Sequence, residues 1–190
     1  MLNKLRSRVE RFLHNVVKPL SKTHVTPNAL TASSLVVAIL GYALVVYTGL
    51  GTLLAMAIML SGFIDAIDGA MARLTGKVSR KGAFLDSVVD RVSEAVFALA
   101  FVELGFNSHI VLIYLASSMI VSYMRAKGES LGLSLSGVGL MERAERLIAL
   151  AVVAILADVN HVVAFALYIA FTAMVVYTAA RRFAYAWKTL

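Results

Sequence analysis

Residues 65–90 read DAIDGAMARLTGKVSRKGAFLDSVVD, with aspartates at 65, 68, 86 and 90. Apolar residues extend to helix length on both sides of a short basic turn, Lys77 to Lys81. Asp65 and Asp68 are three residues apart, and Asp86 and Asp90 four apart. Each pair therefore shares one face of its helix. An ionised carboxylate is costly to bury in hydrocarbon, and four together are prohibitive without a compensating charge. Two such faces turned toward each other would make an all-oxygen cage for hard divalent cations.

The rest of the chain makes the membrane reading general. Of its 190 residues, 60% are hydrophobic, and the mean hydropathy is +0.83. Soluble domains are nearer half apolar. The excess is arranged in runs of the length that crosses a bilayer as a helix. These runs predict an all-α integral membrane bundle of six transmembrane helices, at 28–49, 52–73, 82–104, 109–127, 140–157 and 161–182, within one domain spanning 23–190. With no cysteine present, disulfides, thiolate catalysis and cysteine-bound metal are excluded. No segment has the form of a cleavable signal peptide.

Residues 1–22 carry Lys4, Arg6, Arg8, Arg11, Lys18 and Lys22, interleaved with Leu5, Val9, Phe12, Leu13, Val16, Val17 and Leu20. That spacing favours an amphipathic juxtamembrane helix on an anionic surface over a disordered basic tail. All 18 Lys and Arg residues precede the first span, surround the second or fourth connection, or close the chain. The positive-inside rule then places both termini and the aspartates on the cytoplasmic side of a cell membrane. The net charge of +7 follows this topology, so no nucleic-acid partner is implied. Asp65 lies eight residues before Arg73, roughly 12 Å along a helix, so the four carboxylates share a level just inside the cytoplasmic boundary.

Four carboxylates suit Mg²⁺ or Mn²⁺, one or two ions, which commonly also bind substrate phosphates. Gly69 and Gly82 would let a ligand approach the backbone, although membrane-helix glycines are often packing contacts. Arg73 can form paired hydrogen bonds to a diphosphate.

The pattern Asp65-x2-Asp68-Gly69-x2-Ala72-Arg73-x8-Gly82-x3-Asp86-x3-Asp90 resembles, position for position, the signature of the CDP-alcohol phosphotransferase family. The six-helix layout resembles the family core over residues 20–185. The resemblance implies transfer of a phosphatidyl-type group from a CDP-linked lipid to an alcohol, with release of CMP. Carried over, Asp65, Asp68, Asp86 and Asp90 are metal ligands for two ions, and Asp90 is also the general base. Gly69, Ala72, Arg73 and Gly82 line the CDP site. Pro27-Asn28-Ala29-Leu30-Thr31 resembles a segment preceding this motif in relatives, in which Asn28 and Thr31 would help hold the nucleotide. The alternative for Asn28 is the N-cap of the first helix. A homodimer is also implied. Direct attack by the acceptor fits a chain with no cysteine and no Ser–His pair in view.

A second cluster runs from Ser122 to Glu129 and from Met141 to Leu147. Its bases, Arg125, Lys127, Arg143 and Arg146, are interleaved with Glu129, Glu142 and Glu145, which suggests ion pairs orienting a pocket rather than mere lipid contact. The cluster resembles the phosphatidylinositol phosphate and archaetidylinositol phosphate synthase branch of the family, closer in wording to its archaeal members. That branch implies inositol 1-phosphate as acceptor, with its phosphate on Arg125, Lys127, Arg146 and Arg182 (Arg182 rather than Arg181). Glycerol 3-phosphate is the alternative acceptor. An ion-coupled transporter would need polar residues continuing toward the outer side, where Glu94 and Glu103 are the main candidates.

Overall fold

The computed structural model describes residues 15–21 and 23–190. Among them the structure is all-helical, without strands. Six long helices follow in order: α1 (Pro27–Thr48), α2 (Gly51–Leu74), α3 (Arg80–Glu103), α4 (Ser108–Ser130), α5 (Arg143–Val159) and α6 (His161–Thr189). The expected juxtamembrane helix lies mostly outside the described residues. Within it, residues 15–20 are helical, and Val17 packs with Ile67 and Met71 of α2.

Local chemistry sets the helix ends. Thr26 caps α1 by accepting from the Ala29 N–H, and Pro27 occupies the first turn, where its missing N–H costs nothing. The cap is therefore Thr26 and not Asn28. Gly49 closes α1 at φ 70°, a left-handed conformation that favours glycine. Ser79, Asn107 and Asn160 cap α3, α4 and α6 with their side-chain oxygens.

Three boundaries differ from the sequence expectation by three residues or more, the fourth helix running on to Ser130 rather than 127. The fifth helix begins at Arg143 rather than 140, because residues 131–142 form a loop with Gly132, Gly137 and Gly139 at positive φ. That loop is pinned to α6, where the Leu140 and Met141 N–H groups both donate to Thr178 Oγ1 at 3.2 Å. The sixth helix continues to Thr189, since residues 183–189 contain no breaker.

The start of α2 has no cap of its own, because Leu50 offers no acceptor. Asp158, at the end of α5, supplies it: the Gly51 and Thr52 N–H groups donate to its two oxygens, each at 2.7 Å. We expect Asp158→Ala to cost about 1 kcal/mol, the usual worth of an exposed cap. In a domain of this size the unfolding midpoint in detergent should fall by roughly 2–4 °C. An unchanged midpoint would show that water satisfies those N–H groups equally well.

α1 packs on α2 and α3, α2 on α5, and α4 and α5 on α6. Small residues set the close approaches: a Cβ on Gly41 would stand 2.3 Å from Ala57 Cβ. An aromatic cluster of Phe101, Phe106, Tyr114 and Tyr168 fills the space between α3, α4 and α6, with centroids 5.0 to 5.7 Å apart. The outward faces are apolar as well, with Val36, Leu40, Met56, Leu112 and Val162 exposed. Helices α1, α2, α4 and α6 are long and apolar enough to cross a bilayer. An apolar exterior on such helices is the signature of a membrane protein.

Candidate active site

The basic turn between α2 and α3 brings the two aspartate pairs together. One oxygen each of Asp65, Asp68 and Asp86 lies within 4.8 Å of the others. Ligand oxygens about 2.1 Å from a common Mg²⁺ would be separated by up to about 4.2 Å, so this triad needs little adjustment to hold such an ion. Asp68 is the most buried of the three. The Thr31 hydroxyl donates to its Oδ2 at 2.5 Å. Thr31, expected at the nucleotide, thus also orients a carboxylate of the triad.

Asp90 falls outside the triad. It is tied to Asp65 through Arg143, whose Nη1 donates to Asp65 Oδ2 at 2.7 Å and whose Nη2 lies 2.7 Å from Asp90 Oδ1. Arg91 adds a longer contact to Asp90 Oδ2 at 3.4 Å. Asp65 Oδ1, Asp90 Oδ1 and Arg143 Nε are buried without a hydrogen-bond partner. The two open carboxylate oxygens fit a hard divalent cation, while Arg143 Nε is an unused donor beside them.

Two cavities of about 280 Å³ each meet at Asp86. The first is lined by Asn28, Thr31, Asp68, Gly69, Ala72, Arg73 and Gly82, among others, which brings together every residue expected at the CDP site. The glycines there are not helix-packing contacts. A Cβ on Gly69 would meet only the tip of Arg73, and one on Gly82 only Ser79 Oγ and Asn28 Oδ1. Their missing side chains keep the cavity open.

The second cavity is polar. It holds Asp90, Arg91, Arg125, Arg143, Arg146 and Arg182, with Glu129 and Glu142. Lys127 is not among its residues; it borders a separate apolar cleft with Tyr123, Leu131 and Phe183. Arg182 lines the cavity and Arg181 is exposed. Two of the three interleaved carboxylates form ion pairs, Arg125 with Glu129 at 3.0 Å and Arg182 with Glu142 at 3.2 Å.

Arg146 is more firmly held than its sequence position suggests. It is 2% exposed. Its Nε and Nη2 donate to the two oxygens of Glu94 at 2.6 and 2.9 Å, and the Tyr114 hydroxyl donates to the same carboxylate at 2.8 Å. Arg182 is likewise fixed, donating to the Val138 and Val121 carbonyls. Glu103, the other outer carboxylate, accepts from the Tyr42 hydroxyl at 3.3 Å. Glu94 and Glu103 thus each have a protein partner.

A family model described as CDP-alcohol phosphatidyltransferase matches residues 24–187. The chain belongs to the CDP-alcohol phosphatidyltransferase family. Similar members include the archaetidylinositol phosphate synthase of Aeropyrum pernix, 40% identical over 187 residues that cover 97% of this chain and 95% of that protein. The archaetidylinositol phosphate synthase of Pyrococcus horikoshii is 37% identical over 78% of this chain and 79% of its own length. Among solved structures, the crystal structure of Mycobacterium tuberculosis phosphatidylinositol phosphate synthase with CDP-DAG bound superposes with a TM-score of 0.82. It is 27% identical, covering 93% of this chain and 94% of that one. A second crystal structure of that enzyme, in complex with manganese and citrate, gives a TM-score of 0.81 at 27% identity, over 92% of this chain and 88% of that one. This CDP-alcohol phosphatidyltransferase fold thus carries Asp86 at the junction of two chambers, with Asp68 lining one and Asp90 the other.

Proposed function

We propose that the protein is a phospholipid synthase that transfers a phosphatidyl or archaetidyl group from a CDP-linked lipid to inositol 1-phosphate and releases CMP. The observation that carries this reading is the meeting of two unlike cavities at Asp86, one with the CDP signature and one rich in arginine. The names of the relatives, including the CDP-DAG-bound and manganese-bound structures, support it.

In this reading Asn28, Gly69, Ala72, Arg73 and Gly82 receive the CDP moiety, Arg73 pairing with the diphosphate. Thr31 steadies Asp68 beside them. Asp65, Asp68 and Asp86 would hold a divalent cation, Mg²⁺ or Mn²⁺, and Asp65, Asp86 and Asp90 a second. Bound there, such ions neutralise the diphosphate and the charge developing on CMP. Arg125 and Arg143, the more exposed of these bases although each is ion-paired, would grip the acceptor phosphate, while Arg146 and Arg182 shape the wall behind them. Lys127 is left out of this set because it borders the other cleft. Held there, the acceptor hydroxyl attacks the lipid-bearing phosphorus. The phosphorus–oxygen bond to CMP breaks, and Asp90 takes the hydroxyl proton.

The same reading has six membrane-spanning helices. The two less apolar ones, α3 and α5, carry site residues that face their neighbours rather than lipid. The basic connections put both termini and the active site on the cytoplasmic side. Purified protein, CDP-lipid and Mg²⁺ with a panel of alcohols tests the acceptor. CMP release should require inositol 1-phosphate. Release with glycerol 3-phosphate in its place would overturn the acceptor assignment, and release with neither would overturn the reaction.

A further inference from the structure

Of the three least exposed arginines that line the arginine-rich cavity, two are locked. Arg146 is held by Glu94, and Arg182 by two backbone carbonyls. Arg143 differs. It is the first residue of α5, and its side chain is a quarter exposed. Its guanidinium reaches across to carboxylates on two other helices, Asp65 on α2 and Asp90 on α3. The fit is incomplete: Nε has no partner, and the 2.7 Å approach to Asp90 Oδ1 lacks hydrogen-bond alignment. The oxygens that it binds are among those a second cation would need.

We propose that Arg143 is the resident counter-ion of the Asp65–Asp90 pair, that a second divalent cation must displace it, and that displacement frees its guanidinium for the acceptor cavity that it already lines. The proposal rests on the two-ion reading above. Charge favours the exchange when no diphosphate is bound. Four aspartates face two guanidinium groups, Arg143 and Arg91, so one divalent cation at the triad balances the cluster. A second cation beside an unmoved Arg143 would place like charges within a few ångströms. An arginine released in this way would link the filling of the metal site to the grip on an acceptor phosphate, since both draw on one side chain.

The test is Mn²⁺ binding without substrates, followed by the electron paramagnetic resonance of free Mn²⁺, for wild type, Arg143→Gln and Arg143→Lys. Wild type should bind one ion tightly and a second more weakly. Arg143→Gln should tighten the second site by about tenfold and leave the first little changed, because only the second competes with the guanidinium. The metal-free unfolding midpoint should fall in Arg143→Gln and recover with Mn²⁺, as the ion replaces the missing counter-charge. A merely structural arginine would lower both midpoints and leave the second affinity alone, and that result would overturn the proposal. Arg143→Lys keeps a charge but cannot span both carboxylates. It should show an intermediate shift, and it carries the test if Arg143→Gln does not fold. Wild type that binds no Mn²⁺ would sink both the proposal and the metal reading. Wild type that binds two ions beside unshifted variants would sink the proposal alone.

Discussion

Asp90→Asn should slow CMP release by about 10²–10⁴-fold, the usual loss when a general base is removed, while the protein still folds and binds CDP-lipid. The position explains the separation of effects. Asp90 lines the arginine-rich cavity and lies outside the carboxylate triad. Asparagine has almost the same volume and keeps an oxygen for Arg91, so packing at this nearly buried position should survive. What it cannot do is take the proton from the acceptor hydroxyl. The measurements are kcat for CMP release and, separately, the affinity for CDP-lipid. Turnover near that of wild type would remove Asp90 from the role of base. A matching loss of donor affinity would instead make it chiefly part of the metal and diphosphate site.

The second large effect is on folding. Arg146→Ala should destabilise the protein by about 3–5 kcal/mol, the range for removing one partner of a buried ion pair. The substitution strands Glu94, which is 2% exposed between α3, α4 and α5. Adding Glu94→Gln should recover part of the loss, since the uncompensated charge disappears while the hydrogen bond from Tyr114 can remain. Unfolding midpoints of the two single variants and the double variant in detergent measure this. If Arg146→Ala left stability unchanged and only raised KM for the acceptor, Arg146 would be a direct phosphate ligand and its pairing with Glu94 incidental.

Much of the architecture was legible because its signals are local. Runs of apolar residues, broken at Gly49-Leu50-Gly51 and at Asp158-Val159-Asn160, mark where helices must end. The carboxylate spacing follows from helical periodicity, which is why three of the four aspartates meet as expected. Long-range partners were less legible. Nothing near Leu50 announces that Asp158, more than a hundred residues away, caps its helix. Glu94 looked like an isolated outer carboxylate because its partner stands on another helix.

Two placements have a signal in the chain. Arg125 and Lys127 are two residues apart, so on one helix they point in different directions and could not share a pocket. The structure divides them between two cavities. Arg143 and Arg146 are three apart and share a face, yet only Arg146 entered the expected acceptor set. The same spacing that pairs Asp65 with Asp68 puts Arg143 beside Arg146 in one cavity.

The position of Asp86 in both cavities carries a stereochemical consequence. On the proposed function, neither chamber has to empty before the other fills, so donor and acceptor would flank one phosphorus at the same moment. Attack then comes from the face opposite the departing CMP. A single displacement of this kind inverts configuration, so a donor made chiral at that phosphorus would give product of the opposite hand, without a phosphorylated protein in between.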